Sequence, residues 1–452
     1  MDEATLFELP ERLPAEESSQ AGGRPRLRTA VRDQVVMRML SLDQMLPHDD
    51  EARVVWDFVC QCDLSPLLAQ VRAVEGEVGR NTNDPRILTA LWLFATIKGV
   101  GSARELDRLC ERHLSYQWLC GEVTMNYNTL SSFRVAHGDV VDRLLTEQVA
   151  ALVHAGAVKL ERVAQDGIRV RASAGKASFR RSATLEECLV EARQRVEQLR
   201  QEIEDDPGSA SRREQAARQR AARERVERVT AAIEACAEVQ AAKEKRGGDS
   251  LKNPARASTT DPEARTMKMA NGGFNPAYNV QFSTDTASQV IVGVDAVNQG
   301  TDGGQAEPMV EQIEDRTGIR PPEVLVDGGF ATNNEIQQLN DPELGYKVYA
   351  PVKKEEKLRE NGQDPFAPRR GESPELTEWR TRMGTDEAKV VYKQRASTAE
   401  CVNALARQRG LNQFLVRGLA KVRTMAVWFA LAHNLRRWAT LRATGTIRVT
   451  GT

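Results

Sequence analysis

The chain has 452 residues, 40% of them hydrophobic and 28% charged, with a formal net charge of −1. That is the balance of a globular protein with room for two to four domains, and it carries no global basic excess, so any nucleic-acid surface has to be a local concentration of Lys and Arg. Seven cysteines form no Cys-x-x-Cys pair and only five histidines accompany them, which argues against structural zinc and fits reduced thiols. With neither a signal-peptide core nor a bilayer-length apolar run, the expectation is a cytoplasmic protein without membrane contact.

Residues 1–39, rich in Glu, Pro, Gly, Ser and Arg, read as a mobile tail. Residues 40–156 read as a helical N-terminal DNA-binding domain. Val54, Val55, Phe58 and Val59 share a face behind an Asp49 or Asp50 cap, and Asp84-Pro85 opens a longer helix that Gly99 and Gly101 stop. Ser102-Ala103-Arg104-Glu105 has the form of a capping box. Asn128 to Arg134 reads as a short polar helix start that offers hydroxyls and Arg134 to a DNA groove; caps that are merely caps in a helical bundle are the alternative.

From Val158 to Val170 the pattern alternates towards a strand whose apolar run ends at Asp166, with Arg169, Arg171, Lys176, Arg180 and Arg181 close behind, a basic run suited to a phosphodiester backbone. An Asp-Gly turn with a solvated basic face competes with that reading. Leu185, Leu189, Ala192, Val196, Leu199 and Ile203 then form a heptad seam, Asp205 to Ser209 breaks it, and Val226, Val229, Ile233 and Cys236 resume it. Residues 183–264 therefore read as an inserted antiparallel helical hairpin and linker, the hairpin's charges a solvated face and the polar linker beginning at 247 and running to 270. Tyr278–Asp285 and Gln289–Val297 predict a β-hairpin, Glu307–Thr317 a helix, and Pro321-Pro322 leads into a strand ending at Asp327. Helices over Asn333–Leu339 and Pro374–Met383 and a strand over Lys347–Val352 follow. Residues 157–182 and 265–440 thus make a mixed α/β catalytic domain, with 441–452 a tail. Beyond Cys401 there are nine Lys or Arg, among them Arg407, Arg417 and Lys421, and no acid, the best local candidate for a DNA footprint. A C-terminal helix that closes the core is the competing reading.

Two strands ending in Asp166 and Asp327 and a later helix carrying Glu400 can converge on a pair of divalent metals, and carboxylate ligands suit Mg²⁺. Asp285 and Asp295 compete with Asp166. Ser397-Thr398-Ala399-Glu400 also has capping-box form, which would leave Glu378 or Glu387 as the third acid.

The ordered set Asp84-Pro85-Arg86, Ser102 to Leu106, Leu130 to Arg134, Asp166-Gly167, Gly273-Phe274, Tyr278 to Gln281, Val326 to Phe330, Tyr392 to Arg395, Val416 to Leu419 and Asn434 to Arg437 resembles the DDE transposases of bacterial insertion sequences, over about residues 40–440. The resemblance implies an RNase H-like mixed sheet flanked by helices, and Asp166, Asp327 and Glu400 as ligands of two Mg²⁺ ions, with Mn²⁺ as a substitute. It also implies a homodimer that binds terminal inverted repeats and target DNA beside the nucleoid. Many relatives carry Tyr-x2-Arg-x3-Glu-x6-Lys around the third acid. Here Tyr392 and Arg395 match, four residues rather than three separate Arg395 from Glu400, and Arg407 stands where Lys would. Arg395 and Arg407 would clamp phosphates. A repurposed, non-cutting DNA-binding protein and an RNase H-like nuclease are the alternatives.

Overall fold

The computed structural model describes residues 39–71, 73, 81–205, 211–248, 252–330 and 332–445. The expected tails up to 38 and from 446, and the breaker at 206–210, lie outside these residues.

The sheet is built on β1 (Val163–Arg171), whose Val163, Ala164, Ile168 and Val170 are all buried. Two further short strands, β2 (Phe179–Arg180) and β3 (Ala257–Ser258), form a separate ribbon. The main sheet continues with β4 (Arg265–Lys268), β5 (Phe274–Asp285), β6 (Ile291–Val297), β7 (Glu323–Leu325) and β8 (Lys347–Tyr349). β5 pairs antiparallel with β1 along one edge, and with β6 and then β4 along the other. On its far side β1 pairs parallel with β7, and β7 parallel with β8. The order β6-β5-β1-β7-β8, three antiparallel strands followed by two parallel ones, is the mixed RNase H-like sheet.

Two sequence expectations change here. The strand carrying Asp166 does not end there, because Ile168 and Val170 keep the alternation and β5 pairs with β1 as far as Arg171. The segment read as a polar linker holds β3 and β4, whose two- and four-residue lengths are too short to show a period.

The Leu419–Ala443 helix is the spine of the core, buried on nearly every face between Val422 and Leu435. It packs on the Pro85–Ile97 and Gly138–His154 helices and against β6. Asn434 closes the sheet edge with its amide, accepting from the Ile291 N–H and donating to the Ile291 carbonyl, both at 2.8 Å. A side chain thereby replaces a missing strand. One hydrophobic core runs from Leu46 to Leu441, so the N-terminal helices and the sheet are packed as one body.

The insertion consists of the helices Ser182–Asp205 and Arg212–Arg246. Leu185, Ala192 and Leu199 are buried at seven-residue intervals, facing Val229, Ala232 and Cys236, as the heptad seam predicts. The β2–β3 ribbon ties the base of the insertion together, and this end has a small core of its own around Leu185, Ala255 and Ala257. All seven cysteines are free thiols, and among the described residues no helix is long and apolar enough to cross a membrane.

Candidate active site

The parallel register of β1 and β7 pairs Val163 with Val324 and Ala164 with Leu325. β7 ends at Leu325, and Asp327 follows two residues beyond it, close enough for its carboxylate to act on that of Asp166. Asp166 is largely buried. It accepts from its neighbour Gly167 N–H at 2.9 Å and from Asn403 Nδ2 at 3.0 Å. Burial pushes its carboxyl up to about 6, Arg395 opposes that, and the Asp327 and Asp302 carboxylates add to it. Asp327 accepts from the Gly329 N–H at 2.7 Å. Tyr392 donates its hydroxyl to the carbonyl of Val326 at 3.2 Å and so fixes the backbone just before Asp327.

Glu400 reaches this centre on a helix that runs from Asp386 through Gln408. Its carboxylate accepts from Arg395 Nη1 at 3.0 Å, while Nη2 of the same guanidinium lies 3.3 Å from Asp166. One cation thus bridges the first and third acids. Between Arg395 and Glu400 the helix makes a single π-type turn, Ala396–Glu400, which takes up one extra residue. The four-residue gap between Arg395 and Glu400 is accommodated there. No helix begins at Ser397, whose hydroxyl donates to Gln394 O at 3.0 Å, so the capping-box reading does not hold. The rival acids are engaged elsewhere. Asp285 caps its own turn through Ser288, Asp295 pairs with Arg423, Glu378 pairs with Arg382, and Glu387 lies in the first turn of its helix, two turns before Arg395.

Four residues whose part the sequence reading missed, Asp302, Asn279, Gln281 and Asn403, hold the strands and the first acid in place. Asp302 is 3% exposed and accepts from Asn279 Nδ2, Gln281 Nε2 and Arg169 Nη2, each at 2.7 Å. A Cβ at Gly167 would collide with this carboxylate, and one at Gly329 would lie 3.2 Å from its other oxygen and 2.9 Å from Asp327. Gly167 and Gly329 therefore need glycine for close approach, whereas Gly328, directly after Asp327, does not; this disposes of the turn reading of Asp166-Gly167. The only sequence signal for this cradle is the polar alternation Asn279, Gln281 inside an otherwise apolar strand. Asn403, one turn beyond Glu400, is the fourth and donates to Asp166.

The basic residues divide. Arg171 and Arg407 are exposed and line a cleft of about 810 Å³ beside Gly167. Arg417 and Lys421 are exposed, Arg417 donating to Ser173 O at 3.2 Å. Arg169, Arg395 and Tyr392, expected to meet DNA, spend their polar groups on Asp302, the acids and Val326 instead. Arg134 corrects the sequence reading outright. It is 5% exposed, donates to Gly101 O, and lies 4.7 Å over the Trp92 ring, so it holds helices together and cannot reach a groove. Its loss of solvent lowers its pKa to about 10.

Residues 249–435 match a family model described as transposase DDE domain, and residues 40–136 match one described as transposase domain (DUF772). The chain is a DDE transposase. No curated protein and no solved structure gives a match. The second family model covers the helical region ahead of the sheet, and the two domains together are typical of the transposases of bacterial insertion sequences; residues 137–248, with β1 and Asp166, lie in neither match. Family members cleave and transfer DNA strands and generally use divalent metal ions.

Hard oxygen donors suit Mg²⁺, and Asp166, Asp327 and Glu400 offer only such donors. The carboxyl of Asp166 is raised chiefly by burial, with the Asp327 and Asp302 carboxylates adding to it, a cost that a bound divalent cation would offset. The three acids are not drawn into one ligand cluster among the described residues. Three bare carboxylates repel one another, and the Arg395 guanidinium supplies the positive charge between two of them.

Proposed function

We propose that this transposase binds the terminal inverted repeats of its element as a homodimer and cuts and joins DNA with Asp166, Asp327 and Glu400 as its acidic triad. The observation that carries this reading is that Asp166 on β1 feels the carboxylate of Asp327, just past the end of the adjacent parallel β7, while Arg395 ties Glu400 to Asp166. A pair of Mg²⁺ ions, or Mn²⁺ in their place, would activate the attacking oxygen and stabilise the leaving one. The chain's own residues supply the frame. Tyr392 holds the Val326–Asp327 backbone, Asn403 orients Asp166, and Asp302 locks β1 to β5 beneath the site. Arg395, whose guanidinium lies between Asp166 and Glu400, would hold two oxygens of the scissile phosphate. Arg171 and Arg407 line the approach, and Arg417 and Lys421 extend the basic surface. Two copies are needed because two element ends are joined in one event.

The test is Mg²⁺-dependent cleavage and strand transfer on a labelled duplex carrying the element's end, with wild type beside Asp166→Asn, Asp327→Asn and Glu400→Gln. The expected result is that all three variants bind and none cuts. Cutting by Glu400→Gln would remove Glu400 from the triad. Hydrolysis without joined products would replace the transposition reading with a nuclease.

A further inference from the structure

The cleft beside Gly167 borders the strand that carries Asp166 and extends away from it, lined by none of the three acids. It is lined by Arg171, Lys268 and Arg407, and it shares Gly300 with a second cleft of about 900 Å³ at the base of the helical insertion. The two adjoin along β4 and β5. Thr266 of β4 and Phe274 of β5 line the second cleft, while Lys268 and Asn275 line the first. The second cleft adds Lys176, Arg246 and Arg256. These six cations are exposed, and none makes an ion pair among the described residues. No acid lines the first cleft. The second is lined by one, Glu238, whose carboxylate faces Arg265 at 3.3 Å. In a chain of net charge −1, six unpaired cations along one trough are a concentrated local field.

We infer that this trough is a nucleic-acid track, along which the sugar-phosphate backbone of the DNA leaving the active site runs from Arg171, Lys268 and Arg407 to Lys176, Arg246 and Arg256 at the foot of the insertion. The inference rests on the transposase reading and extends the DNA surface to a segment whose charges the sequence presents as a solvated face. The insertion then has a direct task. Its second helix ends with Arg246 at the trough, and the β2–β3 ribbon carries Arg256 to the same place. Contacts of this kind are to phosphate and independent of sequence, so they set grip and salt dependence rather than site choice.

The experiment measures binding of the full chain to a labelled 40-base-pair duplex of arbitrary sequence across a salt series. Each lost phosphate contact lowers the slope of log affinity against log salt by about 0.9. The Arg246→Glu/Arg256→Glu variant is expected to bind at least about tenfold more weakly and to lose about two units of slope. The same change in charge higher on the insertion, Arg220→Glu/Arg223→Glu, is expected to leave both nearly unchanged. A second pair, Lys176→Glu/Lys268→Glu, should reproduce the first, and thermal midpoints confirm that each variant is folded. Equal loss in the trough and control pairs overturns the track while leaving the transposase reading intact. Absence of binding by wild type at low salt overturns both.

Discussion

Arg395 and Glu400 are five residues apart and joined by a 3.0 Å ion pair, because the helix between them contains one π-type turn. In an unbroken α-helix a five-residue step would turn Glu400 about 140° away from Arg395. The wider turn brings it back. The one-residue excess over the spacing common among relatives is thus absorbed locally, and π-type turns of this kind arise where a single residue enters a helix.

Deleting Ser397, an exposed residue within that turn, should let the helix relax to regular α geometry with Glu400 still facing Arg395. Cleavage by this variant should stay within about tenfold of wild type, whereas Glu400→Gln should lose at least about a hundredfold, a barrier change of about 2.7 kcal/mol or more. Deletion of Ala404, in the regular helix beyond the turn, leaves Glu400 in place but turns Arg407 and everything after it by about 100°. If the Ser397 deletion is as inactive as Glu400→Gln, the π-type turn is not what aligns the acid.

Asp302 should behave as a positioning residue. Its carboxylate is buried and satisfies three donors, so Asp302→Ala strands two amides and a guanidinium. The expected loss of stability is about 2–3 kcal/mol, below the full penalty for a broken buried pair because Arg169 is partly in water. The double variant Asp302→Ala/Arg169→Ala should lose less than the sum of the two single changes, by about 1 kcal/mol in a denaturant cycle. Strict additivity would mean that Asp302 holds the strands without Arg169.

Much of this was legible in the sequence, and the reasons differ by element. The Asn333–Leu339 and Pro374–Met383 helices begin at Thr332 and Ser373 caps, signals carried by a few adjacent residues. The insertion was readable because its seam repeats over many turns. The cradle under the acids was not. Asp302 sits in Thr-Asp-Gly-Gly, which reads as a turn, and its partners lie 21, 23 and 133 residues away. Only the fold brings them together. Arg134 misled for the opposite reason, since its position on a polar helix start says nothing about the Trp92 face it meets.

Arg134→Met should therefore act on stability and not on DNA. Removing the guanidinium leaves the Gly101 carbonyl without its donor and the Trp92 face without its cation, a loss of about 1–3 kcal/mol. Salt-dependent binding to a duplex, measured below the thermal midpoint, should match wild type. A fall in the salt slope of about one would restore Arg134 as a phosphate contact.

Asp166 links the demands of the site to the stability of the fold. Its carboxyl titrates near 6 in the folded chain against an ordinary value of 3.8, chiefly because burial disfavours the charge, with Asp327 and Asp302 adding to it against Arg395. The folded state therefore holds this proton more tightly than the unfolded one. The contribution is fully present below about pH 3.8 and is lost as pH rises through 6, so at neutral pH the ionised group is a burden on the fold. Asp166→Asn keeps the shape without the charge. It should raise the thermal midpoint at pH 7.5 by the equivalent of about 1–3 kcal/mol, and the advantage over wild type should shrink as pH falls from 6 towards 4. The measurement is a pair of melting curves in metal-free buffer at each pH. Added Mg²⁺ should then stabilise wild type and not the variant, because a cation bound only by the folded acids shifts the folding equilibrium towards them. An Asn variant less stable than wild type at every pH would show that the Arg395 contact outweighs the cost of burying the charge.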